Sequence, residues 1–282
     1  MAASPTLAFL KRLFRRKLVL VAALVLVVFF VAALFAPWLA PYDPGALRVI
    51  RRLKPPSEVN WLGTDEFGRD VLSRIIYGAR ASLSIGASVV VISIVCGSAI
   101  GLVAGYFKRL DPPIMRMVDA VMALPDILLA IFLVAILGSS IFNVVFALAI
   151  VYTPRVVRVV RASTLVVREQ QFIEAARSIG AKTPRILFRY ILMNVTSPVL
   201  VQATFIFAYA VLAEAGLSFL GAGVPPEVPT WGEMIASAQQ YADQAFWTVL
   251  FPGLAIVLAA LSLQVVGDGL RDQLDPKLRK AL

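Results

Sequence analysis

The chain alternates long apolar runs with short polar segments. Six of the runs approach or exceed the ~20 residues that an α-helix needs to cross a bilayer. They cover residues 18–36, 81–107, 118–137, 141–160, 198–220 and 247–266. The pattern therefore predicts an all-α polytopic membrane protein with six transmembrane helices.

The first apolar run follows several basic residues, as the core of a cleaved signal peptide also does. This run is longer than a usual signal-peptide core, and Leu34 stands where a small residue would be expected. We therefore predict a retained first transmembrane helix at 18–40. A cytoplasmic N-terminus at 1–17 precedes it, and an extracytoplasmic segment with an interfacial helix follows at 41–80.

The distribution of basic residues fixes the predicted topology of the remainder. With six helices and an inner N-terminus, 20 of the 27 Lys and Arg residues lie on the inner side. Merging the third and fourth runs would place a strongly basic loop outside, against the positive-inside rule. We predict a five-helix core at 81–270, a cytoplasmic loop at 161–194 within it, and a cytoplasmic tail at 271–282.

Composition excludes several classes of protein. Hydrophobic residues make up 60% of the 282 and the mean hydropathy is +0.84, whereas an ordinary soluble domain is about 45–50% apolar. The net charge of +10 comes from residues that flank apolar runs, so it predicts no nucleic-acid partner. Histidine is absent and Cys96 is the single cysteine, which excludes Cys/His metal sites and Cys-His catalysis.

The polar segment before the fifth run predicts two helices joined by a tight turn. Its first helix should have an apolar face and a charged face. The apolar positions are Phe172, Ala175, Ala176 and Ile179, and the charged ones are Glu174 and Arg177. Gly180 suits a left-handed cap, and Thr183 followed by Pro184 suits a helix start. From composition alone, this segment is typical of an amphipathic helix at the membrane surface.

The spelling of the segment gives it a sharper interpretation. Glu174-Ala175-Ala176, then Gly180, resembles the E-A-A loop of binding-protein-dependent ABC importer permeases. In that family the loop is a coupling helix held in a cleft of the ATPase subunit. The resemblance assigns ATPase coupling to the residues of this turn, namely Glu174, Ala175, Ala176, Arg177, Ile179 and Gly180. Met193 stands where the family usually has proline.

Two further strings narrow the resemblance. Leu62 to Asp70 reads L-G-T-D-E-F-G-R-D, and 217–232 contains L-S-F-L-G and a Trp-Gly pair. Both are similar to the C-type transmembrane subunit of dipeptide and oligopeptide permeases. Asp65, Glu66 and Asp70 also suggest calcium, but their spacing misses the EF-hand template. We expect Asp70 to pair with Arg74 on a short interfacial helix instead.

Glycines and acidic residues inside the apolar runs are the remaining candidates for function. Gly97, Gly101 and Gly105 are spaced by four, which predicts close helix packing and not a phosphate-binding loop.

Carboxylates at membrane depth are costly, so they usually face a cavity or a partner. Glu214 and Asp126 are therefore candidates to line a translocation path. The alternative for Glu214, Asp126 and Asp119 is a structural ion pair with an arginine such as Arg116 or Arg158, or a location in the membrane interface. We favour this alternative for Asp119.

The resemblance implies a type I ABC importer permease-like bundle in the bacterial cytoplasmic membrane, which moves dipeptides or oligopeptides by alternating access. The sequence has no G-x-x-x-x-G-K-[ST] motif. We therefore expect no cofactor on this chain, with ATP and Mg²⁺ on partner ATPases. The implied partners are a homologous second permease in a heterodimer, two ATPase subunits and an extracytoplasmic binding protein. A proton-coupled transporter acting alone through Glu214 and Asp126, and a non-transporting scaffold, remain as alternatives.

Overall fold

The computed structural model describes residues 14 and 16–274. The chain is 76% helix and, over those residues, contains no β-strand. The helices are α1 (Lys17–Leu34), α2 (Ala36–Leu39), α3 (Val71–Tyr106), α4 (Asp111–Met122), α5 (Asp126–Leu137), α6 (Ile141–Arg168), α7 (Gln171–Ser178), α8 (Thr183–Arg185), α9 (Leu192–Phe219), α10 (Trp231–Ala238) and α11 (Trp247–Leu274). A π-helical segment, Ile186–Ile191, joins α8 to α9. Most of the predicted inner ends, 1–17 and 271–282, lies outside the described residues.

Five helical stretches are long and apolar enough to span a membrane, and α4 with α5 forms a sixth candidate bent by 89°. The direction of its neighbours shows that this bent pair crosses once. Along α3 the glycines 97, 101 and 105 lie beside residues 156, 160 and 164 of α6, so the two helices run parallel. The chain between them must then recross the bilayer. Six crossings result, and Arg16 pairs with Asp272, which places both described ends on one side.

The third predicted helix is wrong as a single rod. The segment breaks after Met122, and α5 begins at Asp126. Pro125 explains the break, because proline disfavours helical geometry in the residue before it and lacks the N–H that a continuing helix would use. The segment is apolar, as predicted, but its bend was not predicted from the sequence.

Other predicted helix ends fell short of the observed ones. The second crossing begins at Val71, about ten residues before the predicted start, and the fourth and sixth continue to Arg168 and Leu274. The fifth belongs to a helical stretch that starts at Thr183, so Pro198, where the predicted run begins, lies inside α9. Hydropathy marks only the lipid-facing length, whereas hydrogen bonding carries a helix on into the polar zone.

A network of buried polar side chains holds the end of the bundle that the predicted topology places outside. Asp70 caps α3 by accepting hydrogen bonds from the Ser73 backbone N–H and the Asn60 side-chain amide, each at 2.8 Å. The predicted Asp70–Arg74 pair is therefore wrong, because the cap uses the carboxylate. Arg74 instead contacts Glu233 at 2.6 Å and Asp65 at 3.5 Å. These contacts tie 41–70 and α10 to α3.

The glycine stripe of α3 makes its closest contacts with α6. A Cβ added at Gly97 would lie 2.5 Å from the Cβ of Val156, and one at Gly101 would lie 2.8 Å from the carbonyl oxygen of Val157. At Gly105 an added Cβ would lie 2.6 Å from the Cβ of Thr164. Real Cβ atoms do not approach so closely, so the backbones meet because these three positions lack side chains.

Candidate coupling loop and translocation site

The predicted pair of helices joined by a turn lies at residues 171–191, which we call the elbow, and its first helix is short and closed by a left-handed glycine. The helix α7 ends at Ser178, and Gly180 follows with φ of +78°. The N–H of Ala181 donates to the carbonyl of Ala176 at 3.0 Å, and the N–H of Gly180 donates to that of Arg177 at 2.9 Å. This pair of bonds is the Schellman cap, which needs a residue that tolerates positive φ. The second helix begins at Thr183, with Lys182 and not Thr183 as its N-cap.

One side of α7 packs on the protein, and the other side is exposed in the described part of the chain. Ile173 has no exposed surface and Ala176 only 5%, whereas Ile179 is 82% exposed. The predicted apolar face is thus wrong in one respect, because Ala176 belongs to the buried side. Phe172, Ala175 and Ile179 form an exposed apolar strip, which we call the elbow strip.

Charged residues border the elbow strip. Glu174 and Arg177 are exposed, and the Arg177 guanidinium lies 5.3 Å from the centroid of the Tyr106 ring at the C-terminal end of α3. Beyond Gly180 a groove of about 440 Å³ is lined by residues that include Ile179, Pro184 and Tyr190. The elbow therefore presents apolar, charged and concave surface together.

The buried side of the elbow belongs to the main core of the bundle. Ile173, Ile186 and Ile191 are buried in the same apolar cluster as Leu102 of α3 and Val160 of α6. The helical stretch Thr183–Phe219 then continues from the elbow into the fifth crossing. A displacement of the elbow must therefore move the crossings attached to it, because packed interiors deform little.

Glu214, a predicted path residue, has no exposed surface in this conformation. Its carboxylate accepts hydrogen bonds from the hydroxyls of Thr230 at 2.8 Å and Ser218 at 3.0 Å, with Ser82 at 3.5 Å. Ser82 and Thr230 were missed in the sequence because hydroxyls give no pattern at such separations. The contacts give Glu214 a structural use where α3, α9 and α10 meet.

Asp126 and Asp119 both pair with arginines on α6. Asp126 contacts Arg155, and both side chains are partly exposed within crossing segments. Asp119 contacts Arg158 at 2.6 Å, as one of the two sequence-based alternatives had it. The partner of Asp126 was not foreseen, since the bend at Pro125 sets where α5 begins.

Two family profiles match this chain. A family profile described as "Binding-protein-dependent transport system inner membrane component" matches residues 93–280, two thirds of the chain. The chain belongs to this family. A second profile, the "N-terminal TM domain of oligopeptide transport permease C", matches residues 4–56. The resemblance to these permeases, which was drawn from the loop at Glu174 to Gly180 and from the strings at 62–70 and 217–232, is confirmed.

Relatives of the permease match it over nearly its whole length. The di/tripeptide transport system permease protein DppC of Pseudomonas aeruginosa is 49% identical over 265 residues, 92% of this chain and 87% of the relative. The dipeptide transport system permease protein DppC of Alkalihalophilus pseudofirmus is 44% identical over 279 residues, 99% and 92% of the two chains. The glutathione transport system permease protein GsiD of Pectobacterium atrosepticum is 41% identical over 278 residues, 98% and 92%.

Family membership makes this permease a multi-pass inner-membrane subunit of an ABC importer. Permeases of the family lack an ATPase site of their own and work with ATPase and substrate-binding partners. The alternative of a proton-coupled transporter acting alone receives no support from these relatives.

Proposed function

We propose that this permease is the C-type transmembrane subunit of an importer of dipeptides or oligopeptides, driven by ATPase subunits that grip the elbow. The observation that carries the proposal is that α7 is buried on one side and exposed on the other. Its outer side offers the elbow strip to a partner, while Ile173 on its inner side is fused to the core. An element of this kind can pass movement from a separate motor to the crossings.

The peptide substrate rests on the names of the relatives, two of which are dipeptide or di/tripeptide permeases. We infer that the chain itself binds no cofactor and that ATP and Mg²⁺ bind to two ATPase subunits. A homologous second permease would complete a heterodimer, with the passage between the two. An extracytoplasmic binding protein would deliver peptide to the outer loops 41–80 and 222–245.

The coupling role includes the six residues named from the elbow motif, with different tasks. Glu174, Ala175, Arg177 and Ile179 are exposed and would contact the ATPase. Ala176 is buried and would fasten α7 to the bundle, and Gly180 would set the angle of the turn. ATP-driven closure of the ATPases would then move the elbow and, with it, the crossings as rigid bodies.

A strained turn tests this assignment. Gly180→Val forces a β-branched residue into positive φ although nothing lies within 4 Å of the site, so the turn itself must change. We expect the complex to assemble but to lose ATPase stimulation by the peptide-loaded binding protein. Gly138→Val is the matched control and should keep the stimulation, because Gly138 has φ of +87° with equally open space at the C-terminal end of α5, away from the two loops assigned to the binding protein.

Charge reversal provides an independent test. Glu174→Arg should abolish the same stimulation, since it places a cation beside the elbow strip, while Asp268→Arg, at an exposed position of α11 outside the elbow, should preserve it. ATP hydrolysis by the reconstituted complex is the measurement. If stimulation is unchanged in both Gly180→Val and Glu174→Arg, the elbow does not couple the motor to the permease.

A further inference from the structure

The pair formed by Arg155 and Asp126 differs from the other ion pairs of the bundle in its position. Arg155 lies about 21 Å along α6 from Ile141, near the middle of a 28-residue helix. Asp126 is the first residue of α5, directly after the bend. Their side chains are 30% and 42% exposed within the crossing segments. Because charges are costly against lipid, this face requires water or protein beside it.

Two tyrosines fix the Arg155 guanidinium in place. Its central carbon lies 5.2 Å from the Tyr152 ring centroid and 5.1 Å from that of Tyr209. The two rings are stacked, with centroids 6.4 Å apart. Tyr152 is buried and its hydroxyl donates to the Tyr209 carbonyl at 3.4 Å, so the aromatic box joins α6 to α9. Arg155 is held by cation–π contacts and does not depend on Asp126 alone for its orientation.

The pair leaves hydrogen-bonding capacity unused. One guanidinium nitrogen contacts one Asp126 oxygen, and within the described residues neither group makes another hydrogen bond. By contrast, Arg161 holds Asp111 through two nitrogens and two oxygens, the second bond at 2.6 Å. A two-pronged pair is typical of a structural clip. The single contact of Arg155 leaves room for a ligand carboxylate on the guanidinium and for a ligand ammonium on Asp126.

We propose that Arg155, Asp126 and the two tyrosines form a transient binding station for the charged ends of a peptide in the passage. The inference rests on the proposed peptide import. The peptide α-carboxylate would bind Arg155 and its α-ammonium would bind Asp126, in exchange for part of their mutual contact. The exposed ring of Tyr209 would flank the peptide backbone, while buried Tyr152 holds Arg155 from behind. Each peptide end then keeps a counter-charge at membrane depth, where it loses water.

The length of a dipeptide is compatible with this exchange. Two extended residues span about 7 Å, so Arg155 and Asp126 must separate to hold both ends. The bend allows this, because no continuous helix fixes Asp126 to α4. Release of the peptide restores the ion pair, so that Arg155 and Asp126 neutralise each other when the passage is empty.

The experiment uses the full complex in proteoliposomes and compares two arginines of α6. Arg155→Gln should lower peptide uptake by about ten- to a hundredfold, the loss expected for one charge-assisted contact. Arg158→Gln is the matched control, since Arg158 pairs with Asp119 one turn further along and both are more exposed, at 46% and 57%. It should leave uptake unchanged. Arg155→Lys should recover only part of the uptake, because lysine lacks the planar fork.

A direct contact readout separates recognition from mere support of the fold. A dipeptide with a diazirine side chain, photolysed in the vanadate-arrested wild-type complex, should label 152–155 and Tyr209. The label should persist in Arg158→Gln and vanish in Arg155→Gln. Labelling confined to other segments of the wild-type chain overturns the station, and so does equal uptake in the Arg155→Gln and Arg158→Gln complexes. If the wild-type complex imports no peptide at all, the proposed function fails, and not this inference alone.

Discussion

At the residue scale, Glu214 shows how a buried carboxylate can organise its surroundings. Ser82, which lies 3.5 Å from the carboxylate, accepts from the Trp231 backbone N–H at 3.1 Å, and Thr230, which donates to it, accepts from that of Glu233 at 3.0 Å. The carboxylate thus connects two hydroxyls that in turn fix the start of α10. Buried polar networks of this kind are stable only when every member is satisfied.

Glu214→Leu should therefore destabilise the complex. The change would leave the hydroxyls of Ser82, Ser218 and Thr230 without their acceptor, at a cost of about 3 kcal/mol or more. Glu214→Gln keeps one acceptor oxygen and should cost less. Thermal unfolding of the purified complex measures both, and equal midpoints for Glu214→Leu and wild type would contradict the structural role.

The outer ion-pair cluster carries a pH dependence. Three carboxylates, Asp65, Glu66 and Glu233, share two guanidinium groups, those of Arg69 and Arg74. Burial, followed by the Asp65 charge, raises the pKa of Glu66 above its usual 4.5. Burial also raises the pKa of Glu233, although the Arg74 charge opposes the shift. Both groups therefore hold protons more tightly in the folded chain than in the unfolded one.

The sign of the effect follows from linkage. A raised folded-state pKa contributes stability that is fully present below about pH 4.5 and is lost as the pH rises through the raised values. The unfolding midpoint of the complex should fall over this range. The double variant Glu66→Gln and Glu233→Gln should flatten the dependence, and a slope equal to wild type would rule out these two groups as its source.

Single residues were predicted from sequence where the cause is local. Gly180 could be identified as a left-handed cap because helical periodicity stops just before it, and the positive φ confirms it. The Asp126–Arg155 pair could not be identified, since its partners are 29 residues apart and meet only because α5 restarts after a bend. The exposed side of α7 was misjudged at Ala176 because apolar spacing does not say which of two neighbouring alanines faces the core.

At the element scale, α3 and α6 depend on the absence of side chains at three positions. A Gly101→Leu substitution inserts a side chain where even a Cβ would lie 2.8 Å from Val157 and Val160. We expect a loss of about 1–3 kcal/mol or more from overpacking, seen as disrupted assembly on a native gel. Gly101→Ala should cost less but remain measurable.

Gly253→Ala in α11 is the matched control for this prediction. A Cβ there would lie 4.0 Å from the Ile235 side chain, an ordinary contact, so assembly should be normal. If Gly101→Leu and Gly253→Ala assemble equally well, α3 and α6 are not held together at Gly101.

Most of the helices could be predicted from sequence, but not their ends. Runs of about 20 apolar residues reveal crossings because lipid demands that length. The starts of α3 at Val71 and of the fifth stretch at Thr183 lie in polar sequence, where capping and tertiary packing decide. The bend in the third crossing was missed because hydropathy sums over residues and does not register a change of direction.

At the scale of the whole molecule, hydrogen bonds between distant parts of the chain join the helices at both ends of the bundle into one body. Arg168 donates to the Gly105 carbonyl at 2.6 Å on the elbow side, and Trp247 donates to the Thr64 carbonyl at 3.2 Å on the other. Between them, the glycine stripe joins α3 to α6. Movement imposed at the elbow should therefore reach the outer segment with little loss.

The orientation of this body is predicted from its basic residues and can be tested by labelling. In a Cys96→Ser background, Trp61→Cys should react with a membrane-impermeant maleimide applied from outside, since Trp61 is 68% exposed. Ser178→Cys, on exposed α7, should react only after permeabilisation. The reverse pattern would place the elbow outside and remove its access to a cytoplasmic motor.

This permease should be sensitive to the insertion or deletion of a residue in the π-helical segment between α8 and α9. Each α-helical residue turns the chain by about 100°, and Ile186–Ile191 is wound more loosely than its neighbours. Removing one residue there would preserve a helix yet rotate Phe172 and Ile179 away from their present bearing. The number of residues in this segment thus sets the direction in which the elbow strip faces. Homologous permeases that dock on the same ATPase should therefore have a segment of the same length.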